Sequence, residues 1–133
     1  MKTKPRVTGL GGVFFKAKNP RKLGGWYQKH LGLDIGEQWT GCCFNWREDQ
    51  KPKKKGMTVW SIFEGDTKYF GRGKQGLMIN YRVADLKRVL ATLKKEGVWI
   101  DPKGIEVSEY GKFAWIKDGE GNRIELWQPA KGS

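Results

Sequence analysis

The sequence predicts an α+β fold in which two β-α-β-β-β modules form an eight-stranded, cupped mixed sheet with the helices on its outer face. Three observations predict it: two helices with recognisable first and last residues, strand-like runs in the same order around each helix, and a nearly constant distance between matching features. Asn19 and Asp85 are 66 positions apart, and Gly32 and Gly97 are 65 positions apart. A spacing of half the 133-residue chain indicates an internal repeat.

The two predicted helices begin and end at residues typical of helix caps. The first begins at Asn19-Pro20, an N-cap residue followed by proline, and ends at Gly32. The second begins near Asp85 and ends at Gly97. Apolar residues recur at helical spacing in both, namely Leu23, Trp26, Tyr27 and Leu31 in the first and Leu86, Val89, Leu90 and Leu93 in the second. We interpret Gly24 and Gly25 as places where the first helix lies close to the sheet.

Eight strand-like runs complete the repeat, at 10–18, 33–39, 42–48 and 57–63 in the first module and 76–83, 98–107, 111–118 and 122–128 in the second. The turn residues 118–122 predict that the last two runs form a hairpin. We expect one domain, with modules at about 8–63 and 76–129 and a linker at 64–75. Residues 71–76 match a dinucleotide-loop glycine pattern, but the pattern needs a helix after it and a strand is predicted there.

Composition bounds the class of protein. Net charge is +12, from 26 basic and 14 acidic residues, which favours anionic partners. No run approaches the roughly 18 apolar residues of a membrane span, so we expect a cytoplasmic protein with no membrane association. Adjacent Cys42 and Cys43 point to opposite faces of a strand, which predicts two reduced thiols in the core or pocket. The dense run Lys51-Pro52-Lys53-Lys54-Lys55 is interpreted as a solvated loop.

Two stretches carry a family resemblance. The sequence GGVFFKAKNP at 11–20, followed by Trp26-Tyr27 and HLGL at 30–33, resembles the first module of the glyoxalase/bleomycin-resistance/extradiol-dioxygenase (vicinal oxygen chelate) superfamily. The stretch GNRIELW at 121–127 is similar to that family's last hairpin and strand. The resemblance implies the two-module fold over about residues 8–129, but it does not choose among lyases, isomerases, dioxygenases and binding proteins.

The resemblance also implies four metal-ligand positions, two per module. They fall on Gly12, Val59, Met78 and Glu125, and only Glu125 is a ligand for a hard divalent ion. We therefore expect no cofactor and no family-type metal site, while a divalent metal stays possible. His30, the single histidine, is expected to be structural or exposed.

Strand alternation predicts which side chains line the cavity. If Glu125 faces it, so does Trp127, and closing the hairpin around 118–122 pairs Trp115 with Glu125 and adds Phe113. The same alternation adds Phe14, Lys16, Phe44, Trp46, Val59, Ser61, Met78, Asn80 and Arg82. The opposite, mostly apolar set faces the helices: Val13, Phe15, Ala17, Ile79, Tyr81, Val83, Ala114, Ile116, Ile124 and Leu126.

These residues favour a metal-independent protein that binds a small aromatic or acidic molecule, stacked on Trp46 and Trp115 with Arg82 and Lys16 holding an acidic group. An enzyme of the same superfamily is the alternative, a lyase, isomerase or dioxygenase with Glu125 as metal ligand or general base. A third reading is that the aromatic side chains only fill a core. Single-stranded nucleic-acid binding is disfavoured because the basic residues are spread evenly. We expect a homodimer.

Overall fold

The computed structural model describes residues 6–47 and 53–131. Within these ranges it contains two helices and seven strands: β1 Val7–Ala17, α1 Pro20–Leu31, β2 Gly41–Arg47, β3 Lys55–Glu64, β4 Leu77–Val83, α2 Leu86–Lys95, β5 Glu106–Ser108, β6 Gly111–Lys117 and β7 Arg123–Pro129. The α+β class is confirmed. The predicted number of eight strands is wrong for the described part of the chain, which has seven.

The strands form a mixed sheet with the order β2-β3-β1-β4-β7-β6-β5. β1 pairs parallel with β3, and β4 pairs parallel with β7. The pairs β2–β3 and β6–β7 are antiparallel. The chain divides into two compact units, here named after their helices. The α1 unit is Gly12–Met78, and the α2 unit combines the described residues up to Gly11 with those from Ile79 onward.

The predicted strand at 33–39 is absent because other partners take its backbone groups. The N–H of Gly32 bonds to the carbonyl of Gln28, and the N–H of Leu33 bonds to that of Tyr27, which completes the end of α1. Gly32 has a left-handed φ of 69°, the usual conformation at this kind of helix end. Further on, the Arg21 guanidinium donates to the carbonyls of Gly36 and Glu37 at 2.9 and 3.2 Å. A strand would need those same groups for its ladder.

The predicted strand at 98–107 is mostly interrupted. Only an isolated bridge from Ile100 to Ile116 and the three-residue β5 remain of it. Between them, the Asp101 carboxylate accepts the N–H of Lys103, and the Asp101 carbonyl accepts the N–H of Gly104. Pro102, which has no N–H to give to a neighbouring strand, lies within this turn.

The α2 unit packs its helix on one face of β4, β6 and β7. The Asp85 side chain caps the helix by accepting the N–H of Arg88 at 3.1 Å. The core cluster consists of Val83, Leu86, Ala114, Ile116 and Leu126, with Tyr81, Val89, Leu90, Leu93, Val98, Ile100 and Ile124 packed against it. Six members of the predicted helix-facing set are therefore confirmed in this unit, namely Tyr81, Val83, Ala114, Ile116, Ile124 and Leu126, while Ile79 is not part of the cluster.

The α1 unit holds its helix mainly through aromatic rings. Tyr27 contacts Trp60 with ring centroids 4.8 Å apart, and Phe15 contacts Trp60 at 5.2 Å. Trp26 and Leu31 are exposed, so only part of the predicted apolar stripe is covered. A Cβ at Gly24 would lie 3.4 Å from Ile35, whereas one at Gly25 would meet nothing within 4 Å. Ile35 lies in the segment after α1 and not in a strand, so neither glycine shows the close approach to the sheet that we expected.

Three smaller expectations concern the surface and the cysteines. Lys51 and Pro52 lie outside the described residues, while Lys53, Lys54 and Lys55 are exposed. Both cysteines are free; Cys42 is buried and Cys43 is exposed, and desolvation is the first cause that raises the pKa of each thiol. None of the described helices is long and apolar enough to span a membrane.

Candidate functional site

The face of the α2 unit opposite its helix carries a cluster centred on Glu125. The register places Trp115 beside Glu125 across the β6–β7 hairpin and Phe113 beside Trp127. On the other side of β7, Asn80 lies beside Glu125 and Arg82 beside Trp127. The predicted pairing of Trp115 with Glu125 is confirmed. We call these six residues the Glu125 cluster: Asn80, Arg82, Phe113, Trp115, Glu125 and Trp127.

Glu125 is a buried carboxylate whose two oxygens accept separate hydrogen bonds. Its side chain is 1% exposed. The Asn80 amide nitrogen donates to Oε1 at 2.6 Å, and the Trp115 indole nitrogen donates to Oε2 at 2.9 Å. A buried carboxylate without such donors would cost several kcal/mol, so these two side chains make the position tenable. They also fix the orientation of the carboxyl group.

Asn80 has a second polar atom that is not satisfied. Asn80 is 2% exposed, and its Oδ1 atom has no hydrogen-bond partner. A buried acceptor in this condition costs about 1–3 kcal/mol. The backbone at Gly11 leaves room for it: a Cβ built there would clash with Asn80 Oδ1 and lie 3.1 Å from a Trp127 ring carbon. Gly11 is therefore the residue that permits this orientation of Asn80.

Trp127 forms an aromatic platform next to the carboxylate. Its indole nitrogen donates to the carbonyl of Tyr110 at 2.8 Å, which fixes the ring. Phe113 lies nearly parallel to it, with centroids 6.0 Å apart and an interplanar angle of 4°. The Arg82 guanidinium carbon is 5.0 Å from the centre of the Trp127 ring, in the range of a cation–π contact. The cluster thus holds a buried cation in a defined position on the same face as the buried anion.

Trp115 is flanked by charged residues that the sequence did not predict. Lys103 Nζ lies 3.8 Å from the ring centre and the Arg123 guanidinium carbon lies 5.6 Å from it. Arg123 also pairs with Asp101 at 3.0 Å. The Lys103 backbone N–H, and then the Arg123 side chain, hold the pKa of Asp101 below its usual value against the effect of desolvation. The sequence could have predicted Arg123, because it lies two residues before Glu125 on the same strand and so shares its face. Asp101 and Lys103 belong to an irregular turn, where no alternation predicts the direction of a side chain.

The other predicted cavity residues belong mostly to the α1 unit. Phe14, Ser61 and Met78 are buried, and Phe14 contacts Phe63 with centroids 5.4 Å apart. Lys16 Nζ lies 5.4 Å from the ring centre of buried Phe70. Phe14 and Lys16 share a face with Ser61 through the parallel β1–β3 register, as alternation predicts.

The predicted placement of Phe44 and Trp46 is wrong. β2 pairs with β3 so that Cys43 lies beside Val59 and Phe44 beside Thr58. The Trp46 indole nitrogen donates to the Thr58 hydroxyl at 2.9 Å. Both aromatic residues therefore lie on the face of β3 that carries Trp60 and packs on α1. β2 therefore presents the opposite face from the one that alternation predicted, as happens when a strand is shifted by one residue.

The metal positions implied by the resemblance also need a correction. Gly12 pairs with Val59, but Asn80, not Met78, pairs with Glu125, so the two modules differ in register by two residues. A Cβ at Gly12 would lie 2.7 Å from the Phe14 ring and 2.9 Å from the Val59 carbonyl oxygen, so that position has no room for a coordinating side chain.

The donor set does not fit the divalent ion that the resemblance implies. The four positions provide one carboxylate, and both of its oxygens already accept N–H groups. Replacing Met78 by Asn80 adds only a neutral amide oxygen. Among residues 6–47 and 53–131, no group of three or more His, Cys, Asp or Glu side chains could hold a metal ion. His30 is exposed and contacts Trp26, with ring centroids 5.0 Å apart.

Comparisons with known proteins give structural neighbours only. No protein-family model and no curated protein matches the sequence. Methylmalonyl-CoA epimerase from Mycobacterium tuberculosis matches with a TM-score of 0.62 and 20% identity, over 98% of this chain and 93% of the epimerase. A Streptomyces coelicolor methylmalonyl-CoA epimerase variant in complex with 2-nitronate-propionyl-CoA matches with a TM-score of 0.68 and 15% identity, over 93% and 99%. NAD-dependent benzaldehyde dehydrogenase from Legionella pneumophila matches with a TM-score of 0.56 and 13% identity, over 90% of this chain and 98% of the dehydrogenase.

These similarities define the class of protein by its fold: an α+β chain with a mixed sheet and one helix in each of two compact units. This chain shares its fold with the methylmalonyl-CoA epimerase structures, which agrees with the two-module fold that the sequence resemblance implied. At 13–20% identity the neighbours carry no activity over to this chain.

Proposed function

We propose that this protein binds a small acidic molecule with an aromatic or other planar part at the Glu125 cluster, without a divalent metal. One observation carries the proposal: Asn80 Oδ1 is a buried acceptor without a partner, directly beside a fixed carboxylate. Buried polar atoms are nearly always satisfied, and a ligand that donates a hydrogen bond would satisfy this one.

The neighbouring residues supply the other parts of such a site. Arg82 is held on Trp127 and offers a guanidinium, which binds carboxylate or phosphate oxygens in a two-pronged geometry. Trp127 and Phe113 offer flat apolar surface. Glu125 repels a second negative charge on its own side, so the ligand's acidic group is expected at Arg82 and its donor at Asn80. The solved epimerase neighbour that holds 2-nitronate-propionyl-CoA supports a small-molecule ligand in this fold.

A ligand screen tests the proposal directly. Aromatic acids that carry a hydroxyl group are added to the purified chain, with and without a chelator, and the melting temperature is measured. A ligand that binds the native state raises the melting temperature. At a free ligand concentration of 100 times Kd, it adds about 2.7 kcal/mol to the free energy of unfolding. The proposal predicts that the shift survives the chelator and is lost in Asn80→Leu and Arg82→Gln.

Matched controls separate binding from folding. Asn45→Leu makes the same chemical change as Asn80→Leu at an exposed position, so it should leave the ligand response unchanged. A panel that produces no shift, or a shift that requires added divalent metal, contradicts the proposal.

A second candidate function is catalysis by the same cluster, with Glu125 as general base. The observation that favours it is the buried, oriented carboxylate in a fold shared with methylmalonyl-CoA epimerases. In that role Glu125 would accept a proton from the substrate. Arg82 would then stabilise the negative charge that develops on the substrate.

Deuterium exchange distinguishes catalysis from binding. Methylmalonyl-CoA is incubated with the protein in deuterated water, and mass spectrometry follows exchange at the carbon next to the thioester. Exchange that disappears in Glu125→Gln and persists in Glu120→Gln supports catalysis. Ligand binding without exchange leaves the binding function as the better description.

A further inference from the structure

A groove of about 570 Å³ runs along α1 on the surface of the α1 unit, away from the Glu125 cluster in sequence. Its lining residues are Ala17, Lys18, Asn19, Lys22, Leu23, Gly25, Trp26, Lys29 and His30. Three lysines and no acidic residue are among them. None of the functions considered above uses this surface.

Two of the groove's lysines and Trp26 follow one line on the helix. Lys22, Trp26 and Lys29 are spaced by four and three positions, which places them on one face of α1. Lys18 lies before the helix, next to the N-cap residue Asn19, and lines the same groove. Lys18, Lys22 and Lys29 have no ion-pair partner among the described residues. The first turn of α1 also contains no acidic residue. Positive charge therefore accumulates at the N-terminal end of the line, where the helix dipole is positive as well.

An exposed indole interrupts the row of cations. Trp26 is 51% exposed although it is a large apolar residue. Its orientation is restrained by Tyr27, whose ring lies edge-on at 5.2 Å, and by His30 at 5.0 Å. The rise of an α-helix places Lys22 about 6 Å from Trp26 along the axis toward the N-terminal end. A flat ring on Trp26 would thus have cations within reach of an attached anionic group.

We propose that this groove binds a nucleotide-sized ligand, with its planar base on Trp26 and its phosphate at Lys18 and Lys22. The charge of the lining selects an anion, and the exposed indole selects a flat ring. The phosphate lies toward the N-terminal end of α1 because two lysines and the helix dipole act together there. The site is independent of the Glu125 cluster.

Calorimetric titration with AMP, adenosine and inorganic phosphate tests the proposal at low ionic strength. AMP should bind at least tenfold more tightly than either of its parts, because both contacts are then made at once. Trp26→Ala should weaken AMP binding about tenfold, as expected for the loss of a stacking contact. Lys22→Gln should weaken it about threefold, and added salt should reduce the lysine contribution.

Two control variants make the result specific. Trp99→Ala removes another exposed tryptophan, whose ring centre lies 4.6 Å from Lys117 Nζ. Lys87→Gln removes an exposed lysine of α2. Neither should change AMP affinity. The proposal would be overturned by equal affinities for AMP and phosphate, or by an AMP affinity that is the same in Trp26→Ala as in the wild type. It would also be overturned if oligonucleotides bound more tightly than AMP, with an affinity that rises with their length. Loss of AMP binding in Asn80→Leu would also overturn it, since that outcome assigns the ligand to the other site.

Discussion

Asn80 and Glu125 lie side by side on β4 and β7 and are joined by a 2.6 Å hydrogen bond between two side chains that are almost completely buried. The amide gives its N–H to the carboxylate, so its oxygen is turned away from Glu125. That oxygen is the one left without a partner. A single hydrogen bond therefore accounts both for a tolerated buried charge and for an unsatisfied acceptor next to it, and the proposed ligand site follows from this pair.

Gly11→Ala should disrupt the orientation of Asn80. The new Cβ would clash with Asn80 Oδ1, so the amide must move and its hydrogen bond to Glu125 must lengthen or break. Overpacking of this kind costs about 1–3 kcal/mol in the free energy of unfolding, measurable by urea denaturation. Gly25→Ala is the matched control: a Cβ there meets nothing within 4 Å, so it should stabilise α1 by about 0.5–1 kcal/mol. Equal effects of the two substitutions would contradict this account.

Trp115→Phe should destabilise the protein through Glu125. The substitution removes the indole N–H that donates to Oε2 at 2.9 Å while retaining a ring in the same place. Removing one partner of a buried hydrogen bond costs about 1–3 kcal/mol. Trp99→Phe makes the same change at a residue that is 42% exposed, and surface substitutions usually stay within about 0.5 kcal/mol. Chemical denaturation measures the free energy of unfolding of both variants. If Trp115→Phe lowers it as little as Trp99→Phe does, the hydrogen bond from Trp115 to Glu125 does not stabilise the protein.

The β6–β7 face could be predicted from sequence because its turn chemistry determines the register. Asp118 accepts hydrogen bonds from the backbone N–H of Glu120 and of Asn122, and Gly121 adopts a φ of 84°. Such a turn leaves one way to close the hairpin, so Trp115 had to pair with Glu125. The apolar set under α2 followed by alternation.

Three parts of the prediction failed where no local turn determines the register or the backbone bonding. Between β2 and β3 lie residues 48–54, whose sequence does not define a turn length, and Phe44 and Trp46 were assigned to the wrong face. β4 and β7 are parallel and far apart in sequence, so packing sets their register and Asn80 took the place expected for Met78. The strand expected at 33–39 lost its backbone groups to the end of α1 and to Arg21, a side chain whose partners no periodicity reveals.

Leu86→Ala should be among the most destabilising single substitutions in the α2 unit. Leu86 begins α2, is 0% exposed and lies in the cluster with Val83 and Leu126. Removing a buried leucine side chain costs about 2–5 kcal/mol, from lost burial and from the cavity that is left. Leu31→Ala provides the matched control, since Leu31 ends α1 with 63% exposure. Thermal unfolding of both variants should show a fall in melting temperature for Leu86→Ala and almost none for Leu31→Ala.

Asn122→Ala should make the protein more sensitive to acid. The Asn122 side-chain amide, followed by the backbone N–H groups of Asn122 and Glu120, holds the pKa of Asp118 below its usual value. A carboxyl whose pKa is lower in the folded state adds stability above its unfolded pKa, and this stability is lost as the pH falls through the folded value. Removing the amide raises the pKa of Asp118 toward the unfolded value, so the contribution shrinks and disappears at a higher pH. An NMR titration of the Asp118 carboxyl carbon measures the shift directly, with Asn45→Ala, an exposed asparagine of β2, as the control. An Asp118 titration curve that is the same in wild type and Asn122→Ala would show that the backbone N–H groups alone set its pKa.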